Sequence, residues 1–332
     1  VSVIFADSFG HYDSLLTKWD AAGDNTIITN ATIARTNNRC MQILSGASGP
    51  GKTLPANYAQ LVGQVAVNAD TPGLTQNPTI MQFQLSGVGY NIGIRVNGNG
   101  SMAIWRGPGD TGEVPLSTST LRPWIWGGWC YVEAQCTFSS TVGFVTVWVN
   151  GQQIMQIGPL RTVAFAADQF SNAWQLFGNG GGLWYMADAV IIDPTVSPNN
   201  GRIPQTKIYA QVPNANGTPT SWIPFTGTNF SEVNTIPPPG DTSYCSSSNV
   251  GDIDQYLHPS TGIPVDSAVA ALQHCLALRS VAGAVTVNSD LAGTVATPGF
   301  ALTTSYLIYH NPSDGPWSLG SFPVAAGPKL TA

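Results

Sequence analysis

Apolar and polar residues alternate in short runs through the first 193 positions, with the two-residue period of half-buried strands. The clearest run is Trp129-Cys-Tyr-Val-Glu-Ala-Gln135, which places Cys130, Val132 and Ala134 on one face and Trp129, Tyr131, Glu133 and Gln135 on the other. Gly143 to Asn150 follows with Val145, Val147 and Val149 on one face, and Asn150-Gly151 turns the chain into Gln153 to Gly158. Further strands are predicted near Ser2 to Phe5, Thr32 to Thr36, Cys40 to Leu44, Gln60 to Asn68, Thr79 to Ser86, Tyr90 to Val96, Ser101 to Arg106, Ala173 to Phe177 and Tyr185 to Asp193. Asn97-Gly98-Asn99-Gly100 tolerates positive φ and reads as a hairpin turn. Serial hairpins of this kind imply an all-β, antiparallel sandwich over residues 1–193.

Beyond Asp193 the texture changes. Residues 194–244 are rich in Pro, Asn, Gly and Thr, with Pro237-Pro238-Pro239-Gly240 as a spacer, and read as a connector. Residues 245–332 carry short segments near Val265 to Ser280, Gly283 to Asn288 and Thr303 to His310 that suggest a smaller second β domain. Periodicity leaves Val265 to Arg279 open: Val265, Val269, Leu272 and Leu276 fit a helix, whereas Leu272, His274, Leu276 and Leu278 alternate as in a strand.

Composition narrows the function classes. Charged residues are 9% of the 332, and the only glutamates are Glu113, Glu133 and Glu232; water-facing helices rely on Glu and Lys, so few are expected. A surface of uncharged polar groups suits contact with neighbouring subunits, where charges are costly to desolvate. A net charge of -6 offers no basic stripe for nucleic acid, and no apolar run is long enough for a helix to span a membrane. The start Val1-Ser-Val-Ile-Phe-Ala-Asp-Ser lacks the n-region and apolar core of a signal peptide, so a cytosolically made chain is expected unless a leader has been removed. Five cysteines without a C-x-x-C pair (Cys40, Cys130, Cys136, Cys245, Cys275) read as buried thiols, with a bond between Cys245 and Cys275 or across subunits as the alternative.

Several motifs look chemical. Gly46-Ala-Ser-Gly-Pro-Gly-Lys52-Thr53 matches a phosphate loop, and Ala189-Val-Ile-Ile-Asp193 resembles its companion strand. Pro50 removes a cradling N–H, Pro55 would interrupt the following helix, and β-like segments follow, so a polar sandwich loop is the better reading. Glycoside hydrolysis needs paired carboxyl groups, but Glu133 has no acidic neighbour two or four residues away and reads as a hydrogen-bonded edge residue. His11, His258, His274 and His310 show no metal-ligand spacing, and Asp252 and Asp254 read as turn formers before calcium ligands. No catalytic residue, metal site or cofactor is therefore assigned. Among the ten tryptophans, Trp105, Trp124, Trp126 and Trp184 lie in loop-like or Gly-rich surroundings and are the candidates for stacking on sugar, set against packing or subunit contact.

The set Phe5-Ala-Asp-Ser-Phe9, Trp129-Cys-Tyr-Val-Glu133, Val145-Thr-Val-Trp-Val-Asn150-Gly151 and Tyr185-Met-Ala-Asp188-Ala-Val-Ile-Ile-Asp193 resembles the concanavalin-like, laminin-G-like jelly roll. Trp222-Ile-Pro-Phe225, Asp241-Thr-Ser-Tyr244, Gly251-Asp-Ile-Asp254 and Asn311-Pro-Ser-Asp-Gly-Pro-Trp317 are similar in order to the tail of tailed-bacteriophage virion proteins that carry this jelly roll. The resemblance implies a second β region, with Ala268 to Arg279 a strand. It also implies a non-enzymatic virion structural protein, a capsid decoration, head spike or tail-surface component assembled in the host cytoplasm. Closed homo-oligomers such as trimers, and major capsid or tail proteins, would be its partners. A carbohydrate-binding adhesin that takes a host glycan is the alternative, and neither nucleic acid nor membrane insertion is expected.

Overall fold

The computed structural model describes residues 2–331 except 24, 31, 36–38, 45–47, 70–76, 179–181, 198–200, 282, 292, 293, 297, 298 and 318–323. The chain forms two compact units, Val1–Phe9 with Trp19–Ile208 and Gly10–Lys18 with Tyr209–Ala332. Both are built of antiparallel sheets: a jelly-roll sandwich followed by a smaller β region.

The strands of the first unit are β1 (Val3–Asp7), β2 (Asn25–Thr29), β3 (Arg39–Ile43), β4 (Ser48–Tyr58), β5 (Gln60–Ala69), β6 (Thr79–Leu85), β7 (Gly89–Val96), β8 (Met102–Arg106), β9 (Val114–Thr118), β10 (Trp129–Thr137), β11 (Gly143–Val149), β12 (Gln152–Leu160), β13 (Ser171–Phe177) and β14 (Trp184–Ile192). Eight make one sheet, in the order β12-β11-β10-β5-β14-β3-β2 with β1 beside β14; six make the other, β4-β13-β6-β7-β8-β9. β3 pairs with Trp184 to Met186 of β14, and β1 with Ala189 to Ile192. Between them Asp188 has φ 50° and sits in a bulge of β14 against β5.

The sheets pack face to face. A Cβ on Gly63 of β5 would meet Phe83, Trp174 and Met81 of the opposite sheet at about 3 Å, so a larger residue there would force the layers apart. Phe83 and Phe138 bring their ring centroids to 5.9 Å across the same interior. Truncating a fully enclosed aromatic such as Phe83 or Trp174 would cost about 3–5 kcal/mol.

Several expectations need correction. The strand expected at Thr32 to Thr36 lies earlier, at β2: the Asn30 side chain accepts the Thr32 and Ile33 N–H groups and holds 32–35 in a turn, while Thr36 is outside the described residues. β4 and β9 were not expected, being rich in Gly and Pro or broken by Pro115; both are edges of the six-stranded sheet, where a missing N–H is tolerated. The first unit also runs past the expected break at Pro194, to Ile208, because residues 202–208 are hydrogen-bonded to its larger sheet.

The second unit holds β15 (Ala215–Thr220), β16 (Ile223–Pro224), helix α1 (Asn229–Val233), β17 (Cys245–Ser246), β18 (Asp254–His258), β19 (Val269–Leu278), β20 (Thr286–Leu291), β21 (Thr294–Val295), β22 (Phe300–Ala301), β23 (Leu307–Trp317) and β24 (Val324–Thr331). Its main sheet runs β15-β18-β24-β20-β21 with β22 on β20, and β19 and β23 form a separate ribbon. The expected connector thus contributes an edge strand, β15. The open segment 265–279 is a strand from Val269, as the resemblance implied: Leu272 packs on Leu291 and Ala326, and His274 and Leu276, on the same face, are buried.

Candidate functional site

The four candidate tryptophans do not form one groove. Trp184 is fully enclosed and Trp124 nearly so, with ring centroids 5.9 Å apart; neither offers a free ring face. Trp126, half-buried, lies 6.0 Å from Trp124 at the margin of that cluster. Trp105 stands apart on β8, half-buried.

Strand alternation determines the surroundings of Trp105. Met81, Phe83 and Trp174 point at the larger sheet, so Gln82, Gln84 and Gln175 point away from it. Register then aligns one residue from each of six strands: Gly51, Gln175, Gln82, Gly93, Trp105 and Pro115. Tyr90 and Arg95 flank this row on β7. A Cβ on Gly93 would come within 3.2 Å of the Tyr90 ring, so glycine there lets the phenol lie against the sheet.

The side chains of this outer face are tied to one another. The Gln84 amide donates to Gln82 Oε1 at 2.8 Å and Gln175 Oε1 at 2.6 Å, and Gln175 Nε2 donates to the Gly49 carbonyl at 3.1 Å. The Arg95 guanidinium lies 4.4 Å from the centroid of Trp105, donates to the Glu113 carboxylate and reaches the Tyr90 hydroxyl at 3.1 Å. Tyr90 in turn donates to Glu113. Burial first, and then the Glu113 carboxylate it donates to, raise the Tyr90 phenol far above its ordinary pKa, so it stays a neutral donor. The result is a flat strip of aromatic surface, amides and one closed ion pair. Sequence reading found Trp105 by its residue type; the outward parity of Gln82, Gln84 and Arg95 was present in the strand pattern, but which sheet face they shared was not.

A second set of polar groups lies on the outer face of the larger sheet. Glu133 is on an interior strand, not an edge; its buried carboxylate accepts from Arg202 at 2.9 Å and from Gln64 at 2.9 Å. The fold supplies what its own strand lacked, a second carboxylate: Asp188 lies two strands away, roughly 10 Å by strand spacing. Asp188 is paired with Arg35 at 2.7 Å and accepts the Ile208 N–H at 2.8 Å. Desolvation raises both carboxyl pKa values and the arginines partly offset it. The guanidinium of Arg202 also lies 5.0 Å from the Trp148 centroid, and that of Arg35 lies 5.3 Å from that of Tyr131. Residues 202–208 cross these groups, so this pair of carboxylates is a structural clasp and not an open cleft.

The other motifs resolve as structure. Gly46 and Ala47 lie outside the described residues, but Ser48 to Thr53 are extended in β4. Lys52 pairs with Asp20 at 3.3 Å, and the Thr53 N–H donates to the same carboxylate. The fold brings His258 and His274 together, ring centroids 6.3 Å apart, but among the described residues no group of three or more His, Cys, Asp or Glu could hold a metal ion. Asp254 is enclosed and bound by Asn229 and Tyr256, and Asp252 accepts from Ser247 and Asn249 in a turn. All five cysteines are free. Among the described residues no helix is long and apolar enough to cross a membrane.

No protein-family model matches the chain, and no curated protein sequence does. Among solved structures it is similar to a cellulose-induced protein, at 16% identity and a TM-score of 0.43, covering 61% of this chain and 100% of that one. An alginate lyase from a Chlorella virus matches at 11% identity and a TM-score of 0.40, over 53% and 93%. The receptor-binding domain of botulinum neurotoxin type G matches at 12% identity and a TM-score of 0.38, over 82% and 77%. Likeness at this level transfers no ligand and no chemistry to the chain.

Proposed function

We propose that this is a carbohydrate-binding protein whose ligand lies across the outer face of the six-stranded sheet, and that it works by binding and not by catalysis. The observation that carries the reading is the row Gln175, Gln82, Gly93, Trp105, with Tyr90 and Arg95 beside it. Sugar rings present apolar C–H faces bounded by hydroxyls, and a half-buried indole next to fixed amides meets both. Binding without hydrolysis is supported by the placement of the acids. Glu113 bonds to residues of β7 and Asp20 to β4, three strands away, roughly 14 Å by strand spacing, whereas paired glycosidase carboxylates stand about 5–10 Å apart. Trp105→Ala is expected to abolish saturable binding on a glycan array while leaving the melting transition in place. An array on which the wild-type chain binds nothing, or a Trp105→Ala variant that binds as well as wild type, would end the proposal.

The order of motifs in the second half adds a proposal about setting: that the face is displayed on a phage particle by homo-oligomers, trimers among them, seated on capsid or tail proteins. The low content of charged residues, 9%, favours such contacts. Electron microscopy of purified particles tests this, because absence of the chain from the particle removes it.

A further inference from the structure

We infer that the ligand of this face is a neutral, hydroxyl-rich polysaccharide and not a uronate or other acidic glycan. The inference rests on the reading of the face as the binding site and concerns the chemistry that the site selects.

The strands of the six-stranded sheet carry three cations. Arg95 is closed on Glu113 and lies over Trp105, so its charge is neutralised within the face itself. Lys52 is paired with Asp20. Arg106 has the opposite parity to Trp105 on β8 and donates to Thr111 at 2.5 Å, off the row. A carboxylate arriving on the row would have to break an existing ion pair or be desolvated against neutral amides, and either is unfavourable. The formal net charge of -6 adds a weak repulsion of polyanions at longer range.

The amides point the same way. Gln84 spends its NH2 group on Gln82 and Gln175, and among the described residues nothing donates to its own Oε1. Gln82 accepts through Oε1, and among the described residues its Nε2 has no acceptor. Two hydrogen-bonded neighbouring side chains on this face, Gln82 in the row and Gln84 beside it, thus carry one donor group and one acceptor group for a ligand. A hydroxyl both donates and accepts and satisfies such a pair; a carboxylate only accepts, and its oxygens would face the Gln84 carbonyl. Across Gly93 from these amides, the half-buried Trp105 indole, with the Arg95 guanidinium over one face, offers its remaining surface to a sugar ring.

The test is affinity electrophoresis and calorimetry of the full chain with soluble neutral polysaccharides (hydroxyethyl cellulose, xylan, glucomannan, laminarin) and with alginate and polygalacturonate, for wild type, Trp105→Ala and Gln82→Glu. Folding of each variant is checked by near-ultraviolet dichroism. The expected result is binding to at least one neutral polymer that changes less than about twofold between roughly 50 and 500 mM NaCl, because no ion pair to the ligand is there to be screened. Trp105→Ala and Gln82→Glu, which trades the donor for a charged acceptor, should each weaken it about tenfold or more. Preferential binding of alginate or polygalacturonate that weakens with salt and is lost in Trp105→Ala would overturn the neutral class while leaving the face as the site. Binding insensitive to Trp105→Ala, or no binding to any polymer, would overturn both.

Discussion

At the scale of single residues, the two buried ion pairs of the larger sheet differ in how far their cations can rehydrate. Arg35 is 9% exposed and Arg202 26%, while both carboxylates are fully enclosed. Removing the carboxylate charge therefore strands Arg35 in the interior, whereas Arg202 can turn part of its guanidinium to water. Asp188→Asn, which keeps a residue tolerant of φ 50°, is expected to cost about 3 kcal/mol. Glu133→Gln should cost about 1 kcal/mol, because its amide carbonyl can still accept from Gln64 and Arg202 can turn to water. Urea unfolding of both variants checks the order, and equal losses would contradict the clasp as described. Glu133 was legible as a hydrogen-bonded acid on a strand, though at an edge and not inside the sheet. Its relation to Asp188 and Arg202, 55 and 69 positions away, was not, since no local spacing encodes which strands become neighbours.

At the scale of elements, the ribbon of β19 and β23 contains a pH response. His274 is buried at the Ser289 hydroxyl, 2.7 Å away, and His258 lies beside it. Burial, and then the neighbouring His258, push the His274 pKa down to about 3, and burial lowers that of His258 as well. A depressed folded-state pKa means that the unfolded chain takes up the proton first. This stabilising contribution is thus whole above pH about 6.5 and is lost as pH falls towards about 3, at up to about 1.4 kcal/mol per pH unit. Asp254, whose carboxyl is raised chiefly by burial, works in the opposite sense within the same unit, so the comparison must isolate the histidine. In His274→Gln the difference from wild type should shrink as pH drops from 7 to 4, read by hydrogen exchange of the β19 and β23 amides. A constant difference would mean that His274 is not the group that titrates. The strand itself was visible in the alternation of Leu272, His274 and Leu276, but helical spacing competed until pairing with β23 decided it. The phosphate-loop motif shows the converse: its residues are right, and pairing of Gly51 to Thr53 with β13 makes it an edge strand.

At the scale of the whole molecule, the thiols report on closure of the folded state. Cys40, Cys130 and Cys136 are fully buried, and desolvation raises all three, Cys40 to about 11; Cys245 and Cys275 are half-buried. In the native protein at pH 8 a thiol reagent is expected to label at most the latter two, with all five reacting in denaturant; rapid labelling of a third would show the sandwich interior to be open. The sequence alone determined that the chain is all-β, that its strands are antiparallel, and which residues point to opposite faces, because a two-residue period is written locally in the order of side chains. It also placed Trp105 among the binding candidates. Only the tertiary structure decided that Trp124 and Trp184 are core, that 202–208 belongs to the first unit, and that Gln82, Gln175 and Trp105 share one row. Those facts depend on strand order and register, which are set by the joint packing of residues as far as 171 positions apart and leave no mark at any single stretch of chain.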